Sequence, residues 1–374
     1  MTGGFSPPPY PHDRLAALSA TAGAHDEGMV DLSVGMPHDP PPPEVVAALA
    51  TSGAERGYPP SIGTPAFREA AAAWINRRFE VDVDPGAVAA CIGTKELVVG
   101  LPHWLALRRP ERDTVLYPAV SYPSYAMGAV LAGCRPVAVP LDDRWRLDLS
   151  AITEEDASRA LCLWSNTPGN PAGGLDDLNA VAAWGREKGI LVLSDECYAE
   201  FTWDGPPRSI LQSGNDGVLA LHSVSKRSNL AGLRSGFYAG DPELVGYLSE
   251  VRKHAGFMVP GPVQAAAVVA LGDDAHAAAQ ASRYRSRLER AQAMLAEFLD
   301  VAVAAPGGGI YLWVPAPGGD AWAFAEHLAA EAGCLVAPGD FYGPAGAGHV
   351  RLAMVVPEER LDLVARRLAA AAAL

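Results

Sequence analysis

The chain has 374 residues, is 49% hydrophobic, and carries a formal net charge of −14 from 43 acidic residues against 29 lysines and arginines. That composition supports a large buried core and excludes a disordered chain. The acidic balance, with no long basic run and no apolar stretch of spanning length, argues against nucleic acid or a membrane as partner. The opening "MTGGFSPPPYPHD" has no signal-peptide pattern, so a cytoplasmic location is expected. Cys91, Cys134, Cys162, Cys197 and Cys334 are widely spaced, with neither zinc-ligand nor redox spacing. Free, mostly buried thiols and no metal site are the expectation.

In chain order, residues 1–45 are rich in proline and read as an extended arm, a turn and the start of a short helix stiffened by Pro42 and Pro43. "TPAFREAAAAWINRRF" is an amphipathic helix, with Phe67, Ala70, Ala71, Trp74, Ile75 and Phe79 at helical spacing. Alternation follows. Helix "KELVVGLPHWLALR" leads to strand "DTVLYP", and helix "SYAMGAVLAG" leads to strand "RPVAVPL". Strand "RALCLWSN" leads through helix "LDDLNAVAAWGREKG" to strands "ILVLSDECY" and "GVLALHSVSK". This is the pattern of an α/β domain whose mostly parallel central sheet is covered by helices on both faces. Ligands in such sheets lie beyond the carboxyl ends of the strands. After a break near "GFMVPGPVQAAAVVALGDD" come a long helix over 274–298 and the elements of a small α+β domain. The expected division is 1–45 as arm and part of the small domain, 46–265 as the large domain, and 266–374 as the small C-terminal domain.

Four strand ends deliver polar groups. In "CIGTKE", Gly93 and Thr94 open a helix, where backbone N–H groups attract an anion; an ordinary helix cap is the alternative. In "WSNTPGNPAGG", Asn166 and Asn170 flank a proline- and glycine-rich turn and offer amides to a ligand, although an Asx turn accounts for either one alone. In "ILVLSDECYAE", Asp195 follows four apolar residues, and a carboxylate there needs a partner. A pyridinium N–H would serve, with Tyr198 donating to a ring oxygen; a capping Asp and a packed Tyr are the plainer reading. In "HSVSKRSNLAGLRSG", Lys226 sits among serines and glycines. An amine beside a cationic arginine is held below its usual pKa and favours a covalent bond with an aldehyde. Ser223, Ser225 and Arg234 supply two hydroxyls and a planar fork for a phosphate.

Taken together, "YPPSIGTPAFREA", "GTKE", "YPAVSYPSY", "NTPGNPAGG", "SDECY", "SVSKRSNLAGLRSG" and "VRLA" resemble the class I/II aminotransferases of the fold-type I pyridoxal-phosphate enzymes, in family order from Tyr58 to Ala353. The resemblance implies pyridoxal 5'-phosphate as cofactor and amino and keto acids as substrates. It implies Lys226 as the residue that bonds the cofactor and shuttles the proton, and Asp195 as partner of the ring nitrogen. Tyr198 and Asn170 would contact the 3-oxygen, and Tyr122 would stack on the ring. Gly93, Thr94, Ser223, Ser225 and Arg234 would bind the phosphate, with Lys95 facing either the pocket or solvent. Tyr58 would reach the phosphate of the neighbouring subunit of a homodimer. Arg351 would take the substrate α-carboxylate, with Gly35 and Asn170 beside it. The chain departs from the family in having "NPAG" where "NPTG" is usual, which removes a hydroxyl at Ala172.

The longer text "HSVSKRSNLAGLRSGFYAGDPELV" with "APGDFYGPAGAGHVRLAM" looks like the actinobacterial-type succinyldiaminopimelate aminotransferases of lysine biosynthesis. That resemblance implies amino transfer from glutamate to N-succinyl-2-amino-6-oxopimelate, and a second cationic patch with Lys95, Arg227, Arg252 and Lys253 as candidates, each of which also reads as a solvated helix charge. The alternatives are another acidic or broad-range amino acid aminotransferase of the aspartate type, or a C–S β-lyase on the same fold. A non-catalytic regulator of this fold would need a DNA-binding segment, and the N-terminus is too short and not basic enough to supply one.

Overall fold

The computed structural model describes residues 4–372. Its central feature is a seven-stranded sheet in the order Val88–Cys91, Gly236–Gly240, Val218–Ser223, Leu191–Asp195, Ala160–Asn166, Thr114–Pro118, Arg135–Val139. Gly236–Gly240 runs antiparallel to both its neighbours, and all the other pairs are parallel. The sheet is therefore mixed and mostly parallel, as the alternation of strands and helices implies.

Alternate residues of the strands other than Arg135–Val139 feed two separate cores. On one face Leu193, Leu219, Leu221 and Tyr238 pack with Tyr125, Trp164 and the apolar side of helix Thr94–Arg108. On the other, Val192, Val218, Ala220 and Phe237 pack against Phe67, Trp74, Ile75 and Phe79 of helix Pro65–Phe79. The Thr64 hydroxyl caps that helix by accepting the Phe67 N–H at 3.2 Å, a bond that stabilises a helix by about 1 kcal/mol. Because both faces are buried, the central strands Ala160–Asn166, Leu191–Asp195 and Val218–Ser223 are mostly apolar, and their polar residues gather toward the ends where the chain leaves the sheet.

By density of internal contacts the chain divides into two compact units. The first comprises the N-terminal stretch through Gly35, Ser286–Ala305, and the stretch from Tyr311 to the C-terminus. The second comprises Met36–Arg285 and Pro306–Ile310 and contains the large sheet. Within the first unit, Ala337–Pro338, His349–Ala353 and Tyr311–Pro315 form an antiparallel sheet, and Val30–Asp31 pairs in parallel with Cys334–Leu335.

Three elements differ from the sequence reading. The expected extended arm contains helix Ala16–Gly23, whose alanines lower the cost of helix formation. The segment taken as a break contains helix Gly261–Gly272, where "VQAAAVV" continues a helical core face after Pro262 opens it. Strand Gly236–Gly240 has only five residues and is bracketed by glycines, so its own periodicity could not announce it.

Candidate active site

Parallel strands aligned in register expose their last residues along one edge, and here that edge is polar. Asn166 lies opposite Asp195 across one ladder, while Cys91 and Ser223 both flank Gly236 across two others. The segments that carry Asn170, Tyr198 and Lys226, and the Gly93–Thr94 helix start, therefore leave the sheet at the same edge.

The glycine of "GTKE" has a steric reason to be glycine. Gly93 holds φ +70°, and a Cβ on it would fall 2.2 Å from Nη2 of Arg234. Arg234 itself holds φ +54°, a left-handed conformation that costs a non-glycine residue about 1 kcal/mol or more, and its Nη1 donates to Ala231 O at 2.8 Å. The backbone thus brings one guanidinium against the start of helix Thr94–Arg108. On the neighbouring strand, the Ser223 hydroxyl donates to Ser225 Oγ at 2.8 Å and accepts the Ser225 N–H at 3.1 Å. Two hydroxyls, a helix start and a planar cation match the donors a phosphate requires.

Lys226 is not at the end of a strand, as its position in "GVLALHSVSK" implied. The strand stops at Ser223, and Lys226 is half-buried in the one-turn helix Val224–Arg227 that Ser223 caps. The Ser223 side chain takes a backbone N–H that the next rung of a sheet would have used, which ends the strand.

Asp195 is buried at 7% exposure on the adjacent strand. Its Oδ2 accepts from the Tyr125 hydroxyl at 2.8 Å and its Oδ1 from the Cys197 N–H at 3.2 Å. Burial raises its pKa above the usual carboxylate range, and the bonds from Cys197 and Tyr125 partly offset that rise. Both donors are neutral, so a cationic N–H at this carboxylate would restore its preference for the charged form. Tyr125 was missed in the sequence. It is fully buried, stacks on Trp164 at 4.9 Å between centroids, and lies edge-on to Tyr122 at 6.0 Å. The available signal was a second tyrosine three residues after Tyr122, on a helix that is apolar after Ser124: a buried phenol needs an acceptor.

Asn166 and Asn170 act in series. Asn166 Oδ1 accepts the Asn170 N–H at 2.8 Å, and its Nδ2 donates to Asp195 O at 3.0 Å. Asn166 thereby joins the Asn170 turn to the Asp195 strand. Cys197 Sγ lies 3.3 Å from Thr94 Oγ1, which links the Asp195 segment to the helix start beside Arg234. Tyr198 is buried at the head of a short turn, and Lys95 is exposed with Nζ 6.0 Å from the Tyr122 ring.

Tyr58 stands on a loop with 97% of its surface exposed. In the first unit, Arg351 is buried on strand His349–Ala353, donates to Ser33 O at 2.5 Å, and stacks over Tyr311 and Tyr342 at 4.2 and 4.8 Å. Gly35 belongs to the same unit; a Cβ there would meet the Tyr311 hydroxyl at 2.2 Å. Two of the four cations put forward as a second carboxylate site are already engaged. Arg252 grips Glu96 with two bonds of 2.6 and 2.9 Å, and Arg227 is buried against Glu200 at 3.2 Å. Lys253 is exposed, 3.6 Å from Glu250. All five cysteines are free and all but Cys197 are buried; desolvation pushes the Cys334 thiol up to about 12.

A cradle lined with phosphate-type donors, a buried carboxylate whose donors Tyr125 and Cys197 are neutral, and a lysine one turn beyond the adjacent strand together fit pyridoxal phosphate. Comparison with known proteins points the same way. Residues 27–368 match the model of the family "Aminotransferase class I and II". The 4-dedimethylamino-4-oxo-anhydrotetracycline transaminase OxyQ of Streptomyces rimosus is 43% identical over 96% of this chain and 99% of its own length. The LL-diaminopimelate aminotransferase of Desulforudis audaxviator is 36% identical over 96% and 95%. The structure of a probable N-succinyldiaminopimelate aminotransferase from Thermus thermophilus superimposes with a TM-score of 0.85 at 31% identity, over 95% of this chain and 98% of that one. The chain belongs to the class I and II aminotransferases, with the fold-type I architecture, and is a pyridoxal-phosphate-dependent transaminase.

Proposed function

We propose that this transaminase exchanges amino groups between glutamate and 2-keto acids of acidic or broad range, using Lys226 and Asp195 around pyridoxal phosphate. The observation that carries the reading is the pairing of a buried, cation-seeking Asp195 with a lysine one turn beyond the adjacent strand. When bound, the cofactor supplies an aldehyde that bonds amines and a ring that accepts electrons from the substrate α-carbon.

Every other part falls to the protein. Lys226 Nζ would hold the aldehyde and, when free, would serve as the base that carries the proton of the substrate α-carbon. Asp195 keeps the ring nitrogen protonated. Tyr198 and Asn170 orient the ring through its 3-oxygen, and Tyr122 covers its face. Gly93, Thr94, Ser223, Ser225 and Arg234 anchor the phosphate, with Lys95 at the rim. Arg351 receives the α-carboxylate as a two-pronged pair beside Gly35. We also propose a homodimer in which Tyr58 reaches the partner's phosphate site; so exposed an aromatic side chain is a natural contact residue.

Two facts favour a broad range. The relatives bear names with three different substrates, and Arg227 and Arg252 are each committed to a carboxylate of the protein itself. The likeness to the Thermus thermophilus protein supports a second reading, amino transfer to N-succinyl-2-amino-6-oxopimelate. The test is purified protein with glutamate and a panel of keto acids that includes oxaloacetate and the succinylated acid. Turnover of oxaloacetate and several others supports the first reading; turnover confined to the succinylated acid replaces it with the second.

A further inference from the structure

Lys226 sits on a four-residue helix, and one isolated turn does not hold its shape in water. Ser223 fixes its N-terminal end. Its C-terminal end is fixed by the residue directly after the lysine. Arg227 is 3% exposed, and its guanidinium is held inside the protein. Nε donates to Glu200 Oε1 at 3.2 Å, and Nη1 donates to Ala270 O at 2.6 Å and to Ser228 Oγ at 3.2 Å. Its Cζ lies 5.5 Å from the centre of the Trp74 ring.

Glu200 is the second half of the arrangement. It follows Tyr198 by two residues, so it belongs to the segment that carries Asp195. It is itself held by the Trp74 Nε1–H at 3.0 Å and by Arg78 at 3.0 Å. The Arg227–Glu200 pair therefore ties the chain leaving one strand to the chain leaving its neighbour. One of these segments carries the amine and the other carries the groups that face the ring.

We propose that Arg227 is a positioning residue: through Glu200 it sets where the Lys226 amine stands relative to Asp195 and Tyr198, and so governs the covalent hold on the cofactor aldehyde. The proposal rests on the reading of Lys226 as the cofactor lysine. A fork with three directed bonds fixes rotation as well as distance, which a lysine at this position could not do. A buried ion pair adds little net stability over apolar packing, and its better-attested use is to specify one arrangement.

The experiment compares two cofactor forms on the apoprotein. Pyridoxal 5'-phosphate bonds to Lys226, whereas pyridoxamine 5'-phosphate has no aldehyde and relies only on the surrounding contacts. Arg227→Met should weaken the aldehyde form by about tenfold and the amine form by less than about threefold, the loss expected from one or two directed buried bonds. Arg227→Lys should behave like Arg227→Met, and Glu200→Gln should shift in the same direction by less. Added to Lys226→Ala, Arg227→Met should cause no further difference between the two forms. Equal weakening of both forms by every variant, or full rescue by Arg227→Lys, overturns the proposal, since either outcome reduces Arg227 to packing or to charge alone. If the unmodified protein binds neither form, or binds the aldehyde without a bond to Lys226, it is the reading of the site that fails.

Discussion

Asp195 and Glu196 are neighbours on one strand end, both buried, and they face opposite sides of the sheet. Asp195 turns toward Tyr125 and Trp164. Glu196 turns the other way: its Oε1 accepts from Ser194 Oγ and the Ile210 N–H, and its Oε2 lies 3.4 Å from His222 Nε2. His222 is enclosed by Trp74, Phe79 and Phe237. Desolvation raises Glu196 to about 7 and lowers His222 to about 3, so both are neutral over mildly acidic pH. Burial raises both carboxyls, and burial alone therefore does not mark a functional acid. What separates them is the surroundings: one sits within the strand-end constellation of donors, and the other is sealed by aromatic rings.

That contrast can be broken by mutation. Lys226→Ala should give the largest effect, a fall in turnover of about 10⁴-fold, because both the covalent hold and the proton carrier are lost. The check is the absorbance change when glutamate is added to the loaded enzyme; turnover within about tenfold of normal would refute the role. Asp195→Asn should reduce kcat/KM by about 10²- to 10³-fold, while Glu196→Gln leaves it within about threefold. Equal losses from the two substitutions would erase the distinction between the faces.

Tyr125→Phe sharpens the comparison at smaller scale. It removes the donor at 2.8 Å from Oδ2, a donor that lowers the Asp195 pKa, so that pKa should rise further. Cofactor affinity should weaken by about three- to tenfold, read by quenching of protein fluorescence, with the deficit shrinking as pH rises and Asp195 ionises. An unchanged affinity at every pH would show that the bond does not matter.

The sealed pair predicts a stability signature. Glu196 has its pKa raised from 4.5 to about 7, so its contribution is full below pH 4.5 and is lost as pH rises toward 7. His222 has its pKa lowered from 6.5 to about 3, so its contribution is full above pH 6.5 and is lost as pH falls toward 3. Between pH 4.5 and 6.5 the two slopes oppose each other. Relative to the unmodified protein, Glu196→Gln should therefore gain stability with rising pH, and His222→Phe should lose it, each by at most about 1.4 kcal/mol per pH unit. Denaturant unfolding at about pH 5 and about pH 6.5 measures both signs, and slopes of the same sign in the two variants would contradict the assignment.

Much of the strand-end edge was legible because polar residues that end apolar runs are conspicuous: Asn166, Asp195 and Ser223 each close such a run. The spacing of serines, lysine and arginine from Ser223 to Arg234 was equally plain. Tyr125 was not, because its acceptor lies 70 residues away. Arg227 and Arg252 read as free cations for a substrate, since nothing local announces Glu200 or Glu96 as their partners.

The local pattern of this chain was enough to establish an α/β protein, the approximate course of most strands and helices, and the polar residues that close its apolar strands. These follow from periodicity and from the cost of leaving a polar group on an apolar strand without a partner. Tertiary structure alone decided which arginines are already taken, which groups surround each buried carboxyl, and that Lys226 stands on a single turn rather than on a strand. Those outcomes depend on pairings between segments distant in sequence, and a charge is committed or available only once its neighbours in space are in place.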